Sequence, residues 1–190
     1  RSIDAVAADT AKTIAKKLNA VAGSSNVVAS AATYAWLYTD TVTPTGGANG
    51  GINARLKINN VQTAAFTLSA SDVSDAIQKI NAISSTTGVQ ATATGDYKVL
   101  LIDADGDDIK LRNTSTRTDL DVRAVAKDSV TFAGTKLDLG LAGNALDCAN
   151  IRGNLRLTSN YDFTINQDNG GSAASGDAYF ENSTTSAPLV

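Results

Sequence analysis

The chain has no histidine, no methionine and a single cysteine in 190 residues. Without histidine, no side chain titrates near neutrality at its ordinary pKa to act as a general base. Ser-His-Asp triads, Cys-His pairs and HExxH zinc sites are excluded together. Cys148 has no partner in the chain, so no intramolecular disulfide can form. Flanked by Leu146-Asp147 and Ala149-Asn150, it is expected to be a small core residue rather than a nucleophile. Aromatics are only 5% of the residues, while Ala, Ser, Thr and Gly abound. Small side chains bury little area each, so a thin core spread over many strands is expected. The net charge is −3 and no basic run of five exists, so the positive footprint that nucleic-acid binding needs is missing. No apolar stretch approaches the roughly 18 residues that a membrane-spanning helix needs. No charged-then-apolar signal segment opens the chain. Without methionine and with Arg1 first, the chain is expected to be an excised fragment. The sequence offers no catalytic, cofactor-binding or metal-binding set, and no enzyme is expected.

What is present is a repeat. In "DVSDAIQKINAISSTTGVQATAT", Asp72 to Thr94, the residues Val73, Ala76, Ile77, Ile80 and Ile83 form one stripe of an amphipathic helix. Ser71 is the expected N-cap, and Asp72 and Asp75 favour the positive helix end. Asp75 and Lys79 are spaced to pair at i, i+4. Gly88 stops the pattern, and Val89, Ala91 and Ala93 then alternate with Gln90, Thr92 and Thr94 as a half-buried strand. Sixty-two residues earlier, "TAKTIAKKLNAVAGSSNVVASAA" places Ala11, Ile14, Ala15, Leu18 and Val21 in the same stripe. Lys17, Asn19 and Ala20 match Lys79, Asn81 and Ala82, and Val27, Ala29 and Ala31 match Val89, Ala91 and Ala93, with no gap. A repeat made of packing positions points to architecture before chemistry. The helices are expected at about residues 9–22 and 72–84, each packed on a sheet because helices this short are marginal alone.

Around the second copy, Ile52, Ala54, Leu56 and Ile58 alternate as a strand, and Asn59-Asn60 is the turn after it. Phe66 and Leu68 read as a second strand. Val99–Ile102 and Ile109–Leu111 flank Asp105-Gly106, a two-residue hairpin signal. The acidic stretch Asp103–Asp108 does not have EF-hand spacing, since Gly106 is its fourth position and Thr114 its twelfth. It is expected to be a solvated acidic turn that discourages edge pairing. "GGANGG", Gly46 to Gly51, lacks the Lys-Ser/Thr of a phosphate loop and reads as a flexible connection. Asn113 and Asn182 begin N-x-S/T sequons. Beyond Asp119 the chain reads as all-β. "LDVRAV" and "SVTFAG" alternate, and "NLRLTSNYDFTIN" reads as a hairpin with Leu155 and Leu157 on one arm, Phe163 and Ile165 on the other, and Ser159-Asn160 as the turn. "LDLGLAGNALDC" is an apolar connector. From Asp168 the composition suggests a loosely held tail.

Three segments follow: 1–50 with the first helix–strand unit, 51–118 with the second, and 119–190, β-rich with a flexible tail. The expected class is α+β, mostly antiparallel sheet with two short amphipathic helices, one per repeat.

The stretch from Leu56 to Thr94 resembles the flagellin hook IN motif. Ile58, Asn59 and Val61 match its turn; Ile80, Asn81 and Ala82 match its helix signature; Gly88, Val89, Ala91 and Ala93 match the strand that follows. The first copy is looser, with Leu18 in place of Ile and "SSN" in place of "TTG". "GNLRLTSNYDFTI" is also similar to strands late in flagellin central regions. The resemblance covers about residues 51–115 and, more weakly, 7–35. It implies an outer, variable, surface-exposed segment of a bacterial flagellin, extracellular on the filament. Its implied partners are neighbouring flagellin subunits and the flagellar export machinery, with no nucleic acid and no membrane. The long terminal helices that build filaments have no counterpart here, so the isolated chain is expected to be monomeric. A hook-associated or cap protein would carry the same motif. From another class, a carbohydrate-binding adhesin would need exposed aromatics. Tyr34, Trp36 and Tyr38 share one strand face, whose simpler reading is that it covers the helix stripe.

Overall fold

A computed structural model of the chain describes residues 3–6, 8–40, 53–116, 119–140, 142–143 and 145–165. Ile52, the Gly46–Gly51 stretch, Asn182 and the tail from Asp168 lie outside the described residues. The helices are α1 (Ala11–Ala20), α2 (Ala22–Ser25), α3 (Ser74–Asn81) and α4 (Ser84–Thr87). The strands are β1 (Val27–Tyr38), β2 (Leu56–Ile58), β3 (Val61–Gln62), β4 (Val89–Ala93), β5 (Val99–Asp103), β6 (Ile109–Asn113), β7 (Leu120–Ala124), β8 (Leu137–Leu139), β9 (Cys148–Ile151) and β10 (Asn154–Ser159). All strand pairs are antiparallel. The expected α+β class is what the chain adopts.

The strands form two sheets. One runs β4-β5-β1-β7-β8, with β10 also paired to β1, and the other runs β3-β2-β6-β9. The 12-residue β1 is the hub. Its first half pairs with β10 and its second half with β5 and β7. The three sequence segments therefore share one sheet. The main core lies between the sheets and α3. Ala35, Leu37, Val99, Leu101, Leu120 and Val122 face Leu56, Ile58, Ile109 and Leu111, with Phe66, Ala76 and Ile80 among them. Ile80 is fully buried, worth about 1.5–3 kcal/mol by area.

The helix–strand repeat recurs in atomic detail. The Asn19 Nδ2 donates to Ala29 O at 2.8 Å, and Ala29 N–H donates to Asn19 Oδ1 at 2.8 Å. The Asn81 amide makes the same pair of bonds with Ala91, at 2.9 and 2.8 Å. Each helix closes with one turn and a left-handed residue: Asn26 at φ 56° in the first copy and Gly88 at φ 75° in the second. The mismatch between "SSN" and "TTG" is thus conformationally silent, since Asn and Gly are the residues that tolerate this backbone.

Several expectations fail for identifiable reasons. Asp105-Gly106 does not join a hairpin: β5 belongs to one sheet and β6 to the other. A type I′ turn needs positive φ at both central residues, and of these two only Gly106 has it, at 81°. The chain crosses between sheets instead. β10 does not pair with residues 160–165, the described residues after it. It pairs with β1, where Leu155 and Leu157 lie opposite Ala31 and Ala29; Phe163 and Ile165 form no strand. "SVTFAG" contributes only the Val125–Phe132 bridge, because Asp128 accepts the N–H groups of Val130 and Thr131 and turns the chain. Phe66 is held by a bridge to Ala54, and Leu68 is buried outside any strand. Ser71 does not cap α3. The N-cap position falls on Val73, which makes no side-chain bond, and Asp72 before it accepts from Ser74 N–H and Oγ–H at 2.9 and 2.7 Å. Ala93 is exposed at the end of the edge strand β4. Cys148 is exposed too, because the buried face of β9 belongs to Ala149 and Ile151.

Candidate functional site

The acidic turn is the first candidate, and it is structural. Asp103 is buried, and its Oδ1 accepts the N–H groups of Asp105, Gly106 and Asp107 at 3.0, 3.0 and 3.3 Å. Burial pushes its carboxyl above the usual range, against the pull of those donors. Asp105 and Asp107 clamp Lys12 Nζ at 3.0 and 2.8 Å. The bonds to Asp107 and then Asp105 raise the lysine pKa. Gly106 O accepts Lys12 N–H at 3.1 Å, and Thr33 Oγ1 donates to Asp107 O at 2.6 Å. Asp108 accepts from Asn150 Nδ2. The turn therefore docks the start of α1 onto the middle of β1 through its buried Asp103 and Gly106, while Asp105 keeps the expected solvent exposure. A shallow depression of about 440 Å³ lies beside it, lined among others by Lys12, Thr87, Gly88 and Asp103. Lys12 Nζ pairs with two of the acids that line it, Asp105 and Asp107. No His/Cys/Asp/Glu group suited to a metal ion occurs among the described residues.

The aromatic face is the second candidate. Tyr34, Trp36 and Tyr38 do share a face, but not the one that covers the helix stripe. Alternation along β1 gives α3 the Ala35–Leu37 side. The aromatic side builds a separate cluster of Trp36, Tyr38, Leu100 and Val125, with Tyr34 and Ile102 at its border. Phe132 meets Trp36 edge-to-face at 5.4 Å, and Lys98 Nζ lies 4.5 Å above the Trp36 ring. Trp36 and Tyr38 are only 7% and 8% exposed. A sugar-stacking site presents its ring faces to solvent, and these rings are covered. The indole Nε1 is buried without a hydrogen bond, a cost of about 1–3 kcal/mol borne by the cation and ring contacts around it. At the far end of this face, Asp121 lies opposite both Tyr38 and Asp138, with Lys136 Nζ 3.3 Å from Asp121 and 2.8 Å from Asp138. Burial and the neighbouring Asp138 carboxyl push Asp121 up to about 6.

The motif residues form the third candidate, and each is spent on architecture. Asn59, at φ 48°, accepts from Lys110 N–H and donates to Thr87 O. It ties the β2–β3 turn to both β6 and α4. Asn81 clasps Ala91, and Gly88 turns the chain into β4. The repeat marks Asn19 and Asn81 in the sequence, and their clasping role appears only in the folded structure. The Asn113 sequon is closed: the residue is fully buried, donating to Gly140 O and accepting from Ser115. No helix among the described residues is long and apolar enough to cross a membrane. No family model matches the chain, and no curated protein matches it.

Proposed function

We propose that this chain is a structural, non-catalytic segment of a bacterial flagellin, from the variable outer region exposed on the extracellular filament. The supporting observation is where the motif residues go. Asn59, Asn81, Gly88 and Ala91 are all consumed in turn, clasp and cap. A module that repeats its packing and spends its motif residues on that packing in both copies is built to hold a shape. Its partners on this reading are neighbouring subunits of the filament, met side by side at high local concentration, and the export machinery that carries the chain out. In isolation it is a monomer.

Filaments sheared from the cells that make this protein provide the test. Tryptic digestion should release the peptide from Ile58 to Lys79, bounded by Lys57 and Lys79. Recovery of that peptide in stoichiometric amount with the other filament peptides supports the reading. Its presence only in the cell body, with filaments lacking it, overturns the assignment.

A further inference from the structure

We propose that Asn19 and Asn81 are strand mimics that close two sheet edges against pairing with a second copy of this chain. β4 is the terminal strand of its sheet. Backbone groups along an antiparallel strand point alternately toward the partner and away from it. Thr94 N–H donates to Lys98 O, on the β5 side, so the even-numbered residues face inward and Val89, Ala91 and Ala93 face outward. On that outward side Asn81 takes both groups of Ala91, and Thr87 Oγ1 accepts Val89 N–H at 3.2 Å. A side-chain amide carries the same donor and acceptor as a peptide group, so Asn81 fills the place of a paired strand residue.

β1 is treated the same way. Val125 N–H donates to Tyr34 O, which turns the even-numbered residues toward β7 and the odd ones to the opposite flank. Pairing with β5 on that flank ends at Thr33. Beyond it Asn19 takes both groups of Ala29, and Ser25 Oγ accepts Val27 N–H at 3.3 Å. Both edges need such closure. β4 ("VQATA") and β1 ("VVASAATYAWLY") contain no charged residue and no proline, so they lack the usual protection of an exposed edge. The competing partner is the same uncharged strand of another copy.

The full chain carrying Asn81→Ala is compared with wild type by light scattering after size exclusion at high micromolar concentration. The variant should shift from the 19.5 kDa of one chain to twice that mass or more, increasingly with concentration. Adding Gln90→Lys, at an exposed β4 position, should restore the one-chain mass by placing a charge on the edge. A purely structural role lowers the melting temperature and leaves the mass alone. A folded Asn81→Ala at wild-type mass overturns the proposal, as does association that Gln90→Lys leaves unchanged. If Asn81→Ala does not fold, amide exchange in the wild type decides. Ala91 should exchange far more slowly than Ala93, the next outward position; equal rates overturn the proposal.

Discussion

Replacing Gly106 with alanine tests how tightly the acidic turn is pressed onto β1. An alanine Cβ at this position would sit 2.4 Å from Ala31 Cβ and 2.9 Å from both Ala31 C and Ala32 N. Carbon atoms prefer about 3.5–4.0 Å, and two of these contacts are backbone in the hub strand. The residue also has φ 81°, which costs an alanine about 1–2 kcal/mol. Overpacking a rigid site costs about 1–3 kcal/mol more. The sum, about 2–5 kcal/mol, lowers the melting temperature of a chain this size by about 4–20 °C. The control is Gly88→Asn. Its backbone is likewise left-handed, but the first copy carries Asn26 at the equivalent place, and the nearest atom to a new Cβ is Asp103 Oδ2 at 3.1 Å. That variant should lose about 1 kcal/mol or less. Thermal melts followed by circular dichroism compare the two. If Gly106→Ala melts no lower than Gly88→Asn, the turn is free to move off β1 and its docking role is wrong.

Asp121 makes a pH prediction. Its folded pKa of about 6 lies above the ordinary 3.8, so the folded state binds the proton more tightly. Its contribution is fully present below about pH 4 and is lost as pH rises through about 6. Urea midpoints of wild type minus those of Asp121→Asn should fall over that window; a flat difference refutes the assignment. Ile80→Ala should cost about 2–5 kcal/mol, read as a lower urea midpoint, and a loss under 1 kcal/mol would mean that the stripe is not in the core. Cys148, exposed on β9, should react with a thiol reagent in the native state at the rate of an unfolded control, and protection would place it inside.

The sequence carried the periodic parts of this fold well. The α1 and α3 stripes, the Asn59-Asn60 turn and the alternation of β2 are local signals, and each appears where its spacing put it. Pairing partners were not legible. Asp105-Gly106 has hairpin chemistry, but the Asp103 carboxylate gathers three N–H groups and sends the chain to the other sheet. Leu155 and Leu157 mark a strand without saying that β1, far back in the chain, is its partner. The repeat named Asn19 and Asn81 as significant. Their task depends on an edge that exists only once the sheet is assembled. Cys148 failed for a simpler reason: on a half-buried strand, a small residue is placed by register and not by its own polarity.

The hub position of β1 also sets an order of events. It is the first strand in the chain, yet its partners lie at Val99–Asp103, Leu120–Ala124 and Asn154–Ser159. Pairings this distant are slow to find, because the loops between them must close before any contact repays the loss of freedom. The β10 flank of Val27–Ala32 stays unmatched until Asn154–Ser159 arrives, while α1 can already fold beside it from nearby sequence. The sheet is therefore finished from its far end. A chain interrupted between Leu139 and Asn154 would hold every strand of this sheet except β10, with half of its central strand bare on one side, and such a truncated product would be the sticky species in any preparation.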